Sequence, residues 1–123
     1  MAGALDGLTL LFIADAIESV EPLIESLRLA GAVVVAVRSA QLALAYSERH
    51  RIDVVLVDLR EPEWWSTPEI RALRSLTRVP IYAMTETTDQ MLHPSAEIAG
   101  YLPKPVPVEA LIAMLSTLPR RSR

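Results

Sequence analysis

The eleven residues IDVVLVDLREP, Ile52 to Pro62, constrain this chain more than any others. An entry acid, Asp53, precedes the unbroken apolar run Val54 to Val57. The run stops on a lone carboxylate, Asp58, with Arg60, Glu61 and Pro62 just beyond. A continuous apolar run predicts a strand covered on both faces, the pattern of a parallel sheet lying between helices. In open α/β sheets the carboxyl ends of the strands form the edge where ligands bind. Asp58 is therefore expected as an acid that a rigid strand delivers to a crevice.

The remaining chain alternates between two periods. LTLLFIA, Leu8 to Ala14, predicts a first strand ending at Asp15. From Glu18 to Ala30, Val20, Leu23, Ile24 and Leu27 fall on one helix face, with Pro22 near the first turn and Gly31 as a stop. AVVVAV, Ala32 to Val37, is a second strand, and Ala40 to Arg49 a second helix with Leu42, Ala43, Ala45 and Tyr46 inward. After the central strand, Thr67 to Leu76 predicts a third helix, with Thr67 as cap and Pro68 in its first position. VPIYAM, Val79 to Met84, is a fourth strand leading to Thr85. Tyr101 to Leu102 is a brief fifth, closed by Pro103-Lys104-Pro105. Between these two, Glu86 to Ala99 holds few apolar residues and is interrupted by Pro94, so its helix is expected to be short or irregular. Val108, Leu111, Ile112, Leu115 and Leu118 give the last helix. Five strand-helix alternations predict an α/β fold, a five-stranded parallel sheet doubly wound with helices on both faces.

At 123 residues the chain suits one domain, expected over residues 1–118, with 119–123 as a polar tail or trimmed linker. No apolar stretch reaches the roughly 20 residues of a membrane span, and the MAGALDG start lacks the basic region of a signal peptide. There is no cysteine, hence no disulfide, thiolate nucleophile or thiolate metal site. These features lead to the expectation of a cytoplasmic protein. The net charge of −3 gives no overall attraction to nucleic acid, and direct nucleic-acid binding is not expected.

Because all strands of a parallel sheet end on one edge, Asp15, Asp58, Thr85 and Lys104 are expected to converge there. Two neighbouring carboxylates call for a cation, and an all-oxygen site suits Mg²⁺. A carboxylate can also attack phosphorus to form an aspartyl phosphate, aided by a metal ion and a lysine that neutralise the transferring oxygens. A hydroxyl such as that of Thr85 can donate to a phosphoryl oxygen. Neither GxxxxGK[ST] nor GxGxxG occurs, so nucleotide binding is unsupported. His50 and His93 lack ligand-like spacing. No second general acid or base accompanies Asp58, which argues against a hydrolase; an enzyme is not expected.

At these residues the chain resembles the receiver domains of two-component response regulators. The resemblance spans nearly the whole length and rests on Ala14-Asp15, on IDVVLVDL with Asp58 at the acceptor position, and on REP with Pro62. VPIYAMT ending at Thr85 and GYLPKP with Tyr101 and Lys104 complete it. It implies that Asp58 accepts a phosphoryl group from a histidine kinase or phosphotransfer protein, in a Mg²⁺-dependent reaction. Asp15, Asp58 and the backbone carbonyl of Arg60 would hold the metal. Lys104 would pair with the acceptor carboxylate, Thr85 and Tyr101 would act as the switch, and Lys104-Pro105 would be cis. A homodimer and an output domain in a longer chain fit the same resemblance.

Several positions depart from the family pattern. Ala14 stands where a first acid is usual, Glu86 follows the switch hydroxyl, the connections after Asp58 and after Thr85 are short, and Trp64-Trp65 occupy the first of them. They support an alternative: a pseudo-receiver serving as a phosphorylation-independent interaction or dimerisation module, such as the amino-terminal part of a transcription regulator or antiterminator.

Overall fold

The computed structural model describes residues 3–59, 72, 75, 79–85 and 98–120. Five short apolar segments pair in parallel: β1 (Thr9–Ile13), β2 (Val33–Val37), β3 (Val54–Leu59), β4 (Ile81–Thr85) and β5 (Gly100–Pro103). Their order across the sheet is β2-β1-β3-β4-β5. The strand carrying Asp58 is thus central, flanked by β1 and β4, with Ile13 opposite Val57 and Met84 opposite Asp58.

The pleat sends alternate residues to opposite faces, and two apolar clusters result. Leu10, Phe12, Val54, Leu56 and Met84 pack on one side under α1 (Ile17–Leu29) and α3 (Val108–Ser116), which contribute Val20, Ile24, Leu27, Leu111 and Leu115. Leu11, Ile13, Val55, Val57, Ile81 and Ala83 pack on the other, against Ala40 and Ala43 of α2 (Ala40–Ser47) and against Ala72 and Ile98. Full burial of each large side chain contributes about 1.5–3 kcal/mol, so both helical layers are anchored by the same few strands. The five-stranded, doubly covered sheet matches the expected fold. The expected helix over Thr67 to Leu76 and the irregular segment over Glu86 to Ala99 lie mostly outside the described residues. Ala72 is in a helical segment and buried.

The helix ends have local causes. After α1, the Gly31 amide bonds to the Arg28 carbonyl (2.9 Å) and the Ala32 amide to the Leu27 carbonyl (3.1 Å), a paired closure of the last turn. It needs the left-handed φ of +110° that Gly31 supplies, and a Cβ there would strike Asp6. Ser39 caps α2 by accepting from the Leu42 amide at 3.1 Å.

Two details differ from expectation. α1 starts at Ile17, so Pro22 lies inside it, past the first turn, where its missing N–H leaves the Glu18 carbonyl without that i+4 donor. In α2, Ala40 and Ala43 are buried while Leu42 is 54% exposed and Ala45 is exposed. The helix turns its small side chains to the sheet, which lets it approach closely.

Candidate functional site

The carboxyl edge of the sheet gathers the candidate residues. Asp58 is the fifth residue of the six in β3, and its side chain is only 2% exposed. Having the parity of Val54 and Leu56, it points to the α1/α3 face. There it forms an ion pair with Lys104, whose side chain is 20% exposed. Lys104 follows β5, and its amide continues the ladder by donating to the Thr85 carbonyl at 2.9 Å. The Lys104-Pro105 bond is cis. The pair lines a cavity of about 700 Å³ whose walls include Ser19, Leu23, Met84 and Val106. A buried carboxylate carrying its own ammonium partner at a cavity wall can hold an anion acceptor ready and neutralise charge that arrives with it.

Thr85 and Tyr101 lie on the other face of the sheet. Thr85 is the last residue of β4, 2% exposed, and shares the parity of Ala83; Tyr101, half-buried, packs on the cluster that contains Ala83. Alternation therefore assigns both to the α2 face, on the other side of the sheet edge from Asp58. They share a face with each other, with Ala83 opposite Tyr101 and Thr85 opposite Pro103.

Asp15 lies beyond β1 and is exposed. Continuing the register of Ile13 with Val57, Ala14 falls beside Asp58; Ala14 is fully buried, and its amide donates to the Val37 carbonyl at 3.0 Å. Among the described residues the ends of β1 and β3, strands spaced about 4.8 Å apart, thus bring Asp15 and Asp58 to this edge. No group of three or more His, Cys, Asp or Glu side chains that could hold a metal occurs among the described residues. Mg²⁺ keeps several waters and is commonly held by one or two carboxylates, so the donor set fits that ion with water completing its shell. The Arg60 carbonyl, Glu86, Trp64 and Trp65 lie outside the described residues.

One residue that the sequence reading did not single out also reaches this edge. Arg38, directly after β2, donates to the Asp15 carbonyl (3.1 Å) and to the Glu18 carboxylate (3.0 Å). Glu18 is held below the ordinary carboxyl value of 4.5, first by a hydrogen bond from its own backbone and then by Arg38. The signal was available: Arg38 follows strand two as Asp15 follows strand one. An arginine among polar residues, however, reads as solvated surface. The other charge at a strand end, Asp53, is 5% exposed at the opposite edge and accepts from the Thr9 amide at 2.6 Å, a structural pairing between β1 and β3.

Among the described residues no helix is long and apolar enough to cross a membrane. No curated protein matches the chain. Solved structures do. The chemotaxis protein CheY4 of Vibrio cholerae, crystallised at low pH, aligns with 23% identity and a TM-score of 0.71 over 91% of this chain and 98% of that one. A two-component response regulator from Clostridium difficile aligns with 18% identity and a TM-score of 0.73 over 88% and 92%. The receiver domain of a Saccharomyces cerevisiae response regulator, crystallised with its histidine phosphotransfer protein, aligns with 19% identity and a TM-score of 0.67 over 89% and 86%. At these identities the structures establish the fold. The family model for the response regulator receiver domain matches residues 10–116, and the chain belongs to that family.

Proposed function

We propose that Asp58 accepts a phosphoryl group from a phosphohistidine on a kinase or phosphotransfer protein, and that the domain relays the modification to a partner or output surface. The observation that carries this reading is the buried Asp58–Lys104 ion pair lining a cavity at the carboxyl edge of the central strand. A carboxylate oxygen of Asp58 attacks the phosphorus, the P–N bond breaks, and the imidazole nitrogen leaves with the electron pair. Lys104 neutralises the acceptor before transfer and the phosphoryl oxygens after it. Mg²⁺, held by the carboxylates of Asp15 and Asp58 and by the Arg60 carbonyl, would supply further charge neutralisation.

The parity of Thr85 gives the switch a physical form. Its hydroxyl starts on the α2 face and has to come round the strand end to donate to a phosphoryl oxygen. That movement vacates space on the face it shares with Tyr101, and Tyr101 follows inward. The expected result on adding Mg²⁺ and beryllofluoride is a shift of the amides of Asp58, Thr85 and Lys104. If those amides stay unmoved at millimolar Mg²⁺, the phosphoryl-acceptor reading is dropped.

Ala14 favours a second reading. Its methyl group, fully buried beside Asp58, takes a place where a carboxylate would strengthen cation binding. A phosphorylation-independent interaction module would keep its partner binding and its cellular output after Asp58→Ala; an acceptor would lose its phosphorylation-dependent output.

A further inference from the structure

We propose that Arg38 is a positioning residue for the cation end of this site, holding Asp15 in place from the neighbouring strand; the inference rests on the Mg²⁺ reading above. The aim of the Asp15 carboxylate depends on its backbone, and three backbone groups around it are tied. The Ala14 amide donates to Val37 at 3.0 Å, and the Ala16 carbonyl accepts from both the amide (3.0 Å) and the hydroxyl (2.8 Å) of Ser19. Between them the Asp15 carbonyl accepts from Arg38 Nη1 at 3.1 Å, while Nη2 of the same guanidinium reaches Glu18 at 3.0 Å. The N-cap position of α1 is Ala16, which has no side-chain cap. The device that ordinarily fixes the entry to a helix is missing, and the arginine fork replaces it by bridging the strand-end loop to the first turn. A planar fork with two fixed donors does this where a lysine point charge reaches only one acceptor.

Charge and geometry make opposite demands on this residue, which makes the inference testable. A lone cation beside a cation site would repel Mg²⁺, so its removal would tighten binding. Here Glu18 already neutralises Arg38, and both side chains are exposed, 54% and 72%, so solvent screens the repulsion further. The tether is therefore the larger effect.

The experiment is a Mg²⁺ titration of the full chain followed by amide shifts, for the wild type, Arg38→Ala and Arg38→Lys, with urea unfolding of each. Arg38→Ala is expected to raise the Mg²⁺ Kd about tenfold, as loss of an outer-layer partner of a metal ligand does. Arg38→Lys, with charge kept and one bond restored, should fall between. The urea midpoints should stay close to that of the wild type, because the pair is exposed. Unchanged or tighter Mg²⁺ binding by Arg38→Ala overturns the positioning role alone. A wild-type chain that does not respond to Mg²⁺ removes the metal reading and this proposal together.

Discussion

The ion pair of Asp58 and Lys104 is asymmetric, and the asymmetry decides how each residue tolerates change. The carboxylate is 2% exposed and cannot turn to water, whereas the lysine is 20% exposed on a flexible stem. Lys104→Met therefore strands a buried charge, a situation that costs about 3 kcal/mol. Asp58→Asn leaves an ammonium that can rotate outward, and is expected to cost under about 1 kcal/mol. Urea unfolding of both variants checks the ordering; equal costs would mean that the two groups share one degree of solvation. The same strand begins on another buried acid, Asp53, whose Oδ2 takes the Thr9 amide at 2.6 Å. One acid closes the ladder to β1 at the amino edge; the other meets a lysine and a cavity at the carboxyl edge. Spacing alone distinguished these roles only through the direction of the strand.

Among the elements, the sheet was legible because short, almost unbroken apolar runs such as LTLLFI and VVLV mark strands covered on both faces, and α1 because Val20, Ile24 and Leu27 hold one face. The second helix was not. AQLALAY, Ala40 to Tyr46, offers apolar residues on most sides, and the face that packs is chosen by how close the helix lies to β1 and β2. Small residues at 40 and 43 win over Leu42. Leu42→Gln should thus change stability by less than about 0.5 kcal/mol. Ala43→Leu should destabilise by about 1–3 kcal/mol through overpacking against Leu11 and Ile13. A thermal or urea melt separates the two, and the reverse order would show that α2 can rotate on the sheet. The face taken by Thr85 and Tyr101 was not legible for a related reason. The fourth strand was expected to end at Thr85, and Thr85 is its last paired residue. At a strand end one residue of register fixes the face, and composition carries no information about it. Arg38 was hidden likewise, since its partners Asp15 and Glu18 are 23 and 20 residues away.

Across the whole molecule, the site edge and the opposite edge are built differently. At the amino edge Arg120 spreads its guanidinium over four backbone carbonyls: Ala4 (2.9 Å), Asp6 (3.2 Å), Ser116 (3.3 Å) and Leu118 (2.9 Å). It links the turn that places Leu5 and Leu8 in the core to the last carbonyl of α3 and the segment just after it. Arg120→Ala is expected to cost about 1–2 kcal/mol, the range for a few partly exposed hydrogen bonds. It should also speed amide exchange in residues 3–7 and in the last turn of α3, and leave Asp58 and Lys104 unaffected. Exchange mapped by mass spectrometry checks this; faster exchange spreading to β3 would show that the two edges are mechanically coupled.

That contact also bears on how the chain could be rewired. With Arg120 bonded to Ala4, the two ends of the described fold meet on the side of the sheet away from Asp58, so the backbone is nearly a closed ring. A short bridge across that gap would turn the linear order of strands into a cyclic one. The domain could then be opened at a different surface connection as a circular permutant, with the acceptor strand still central and its edge untouched.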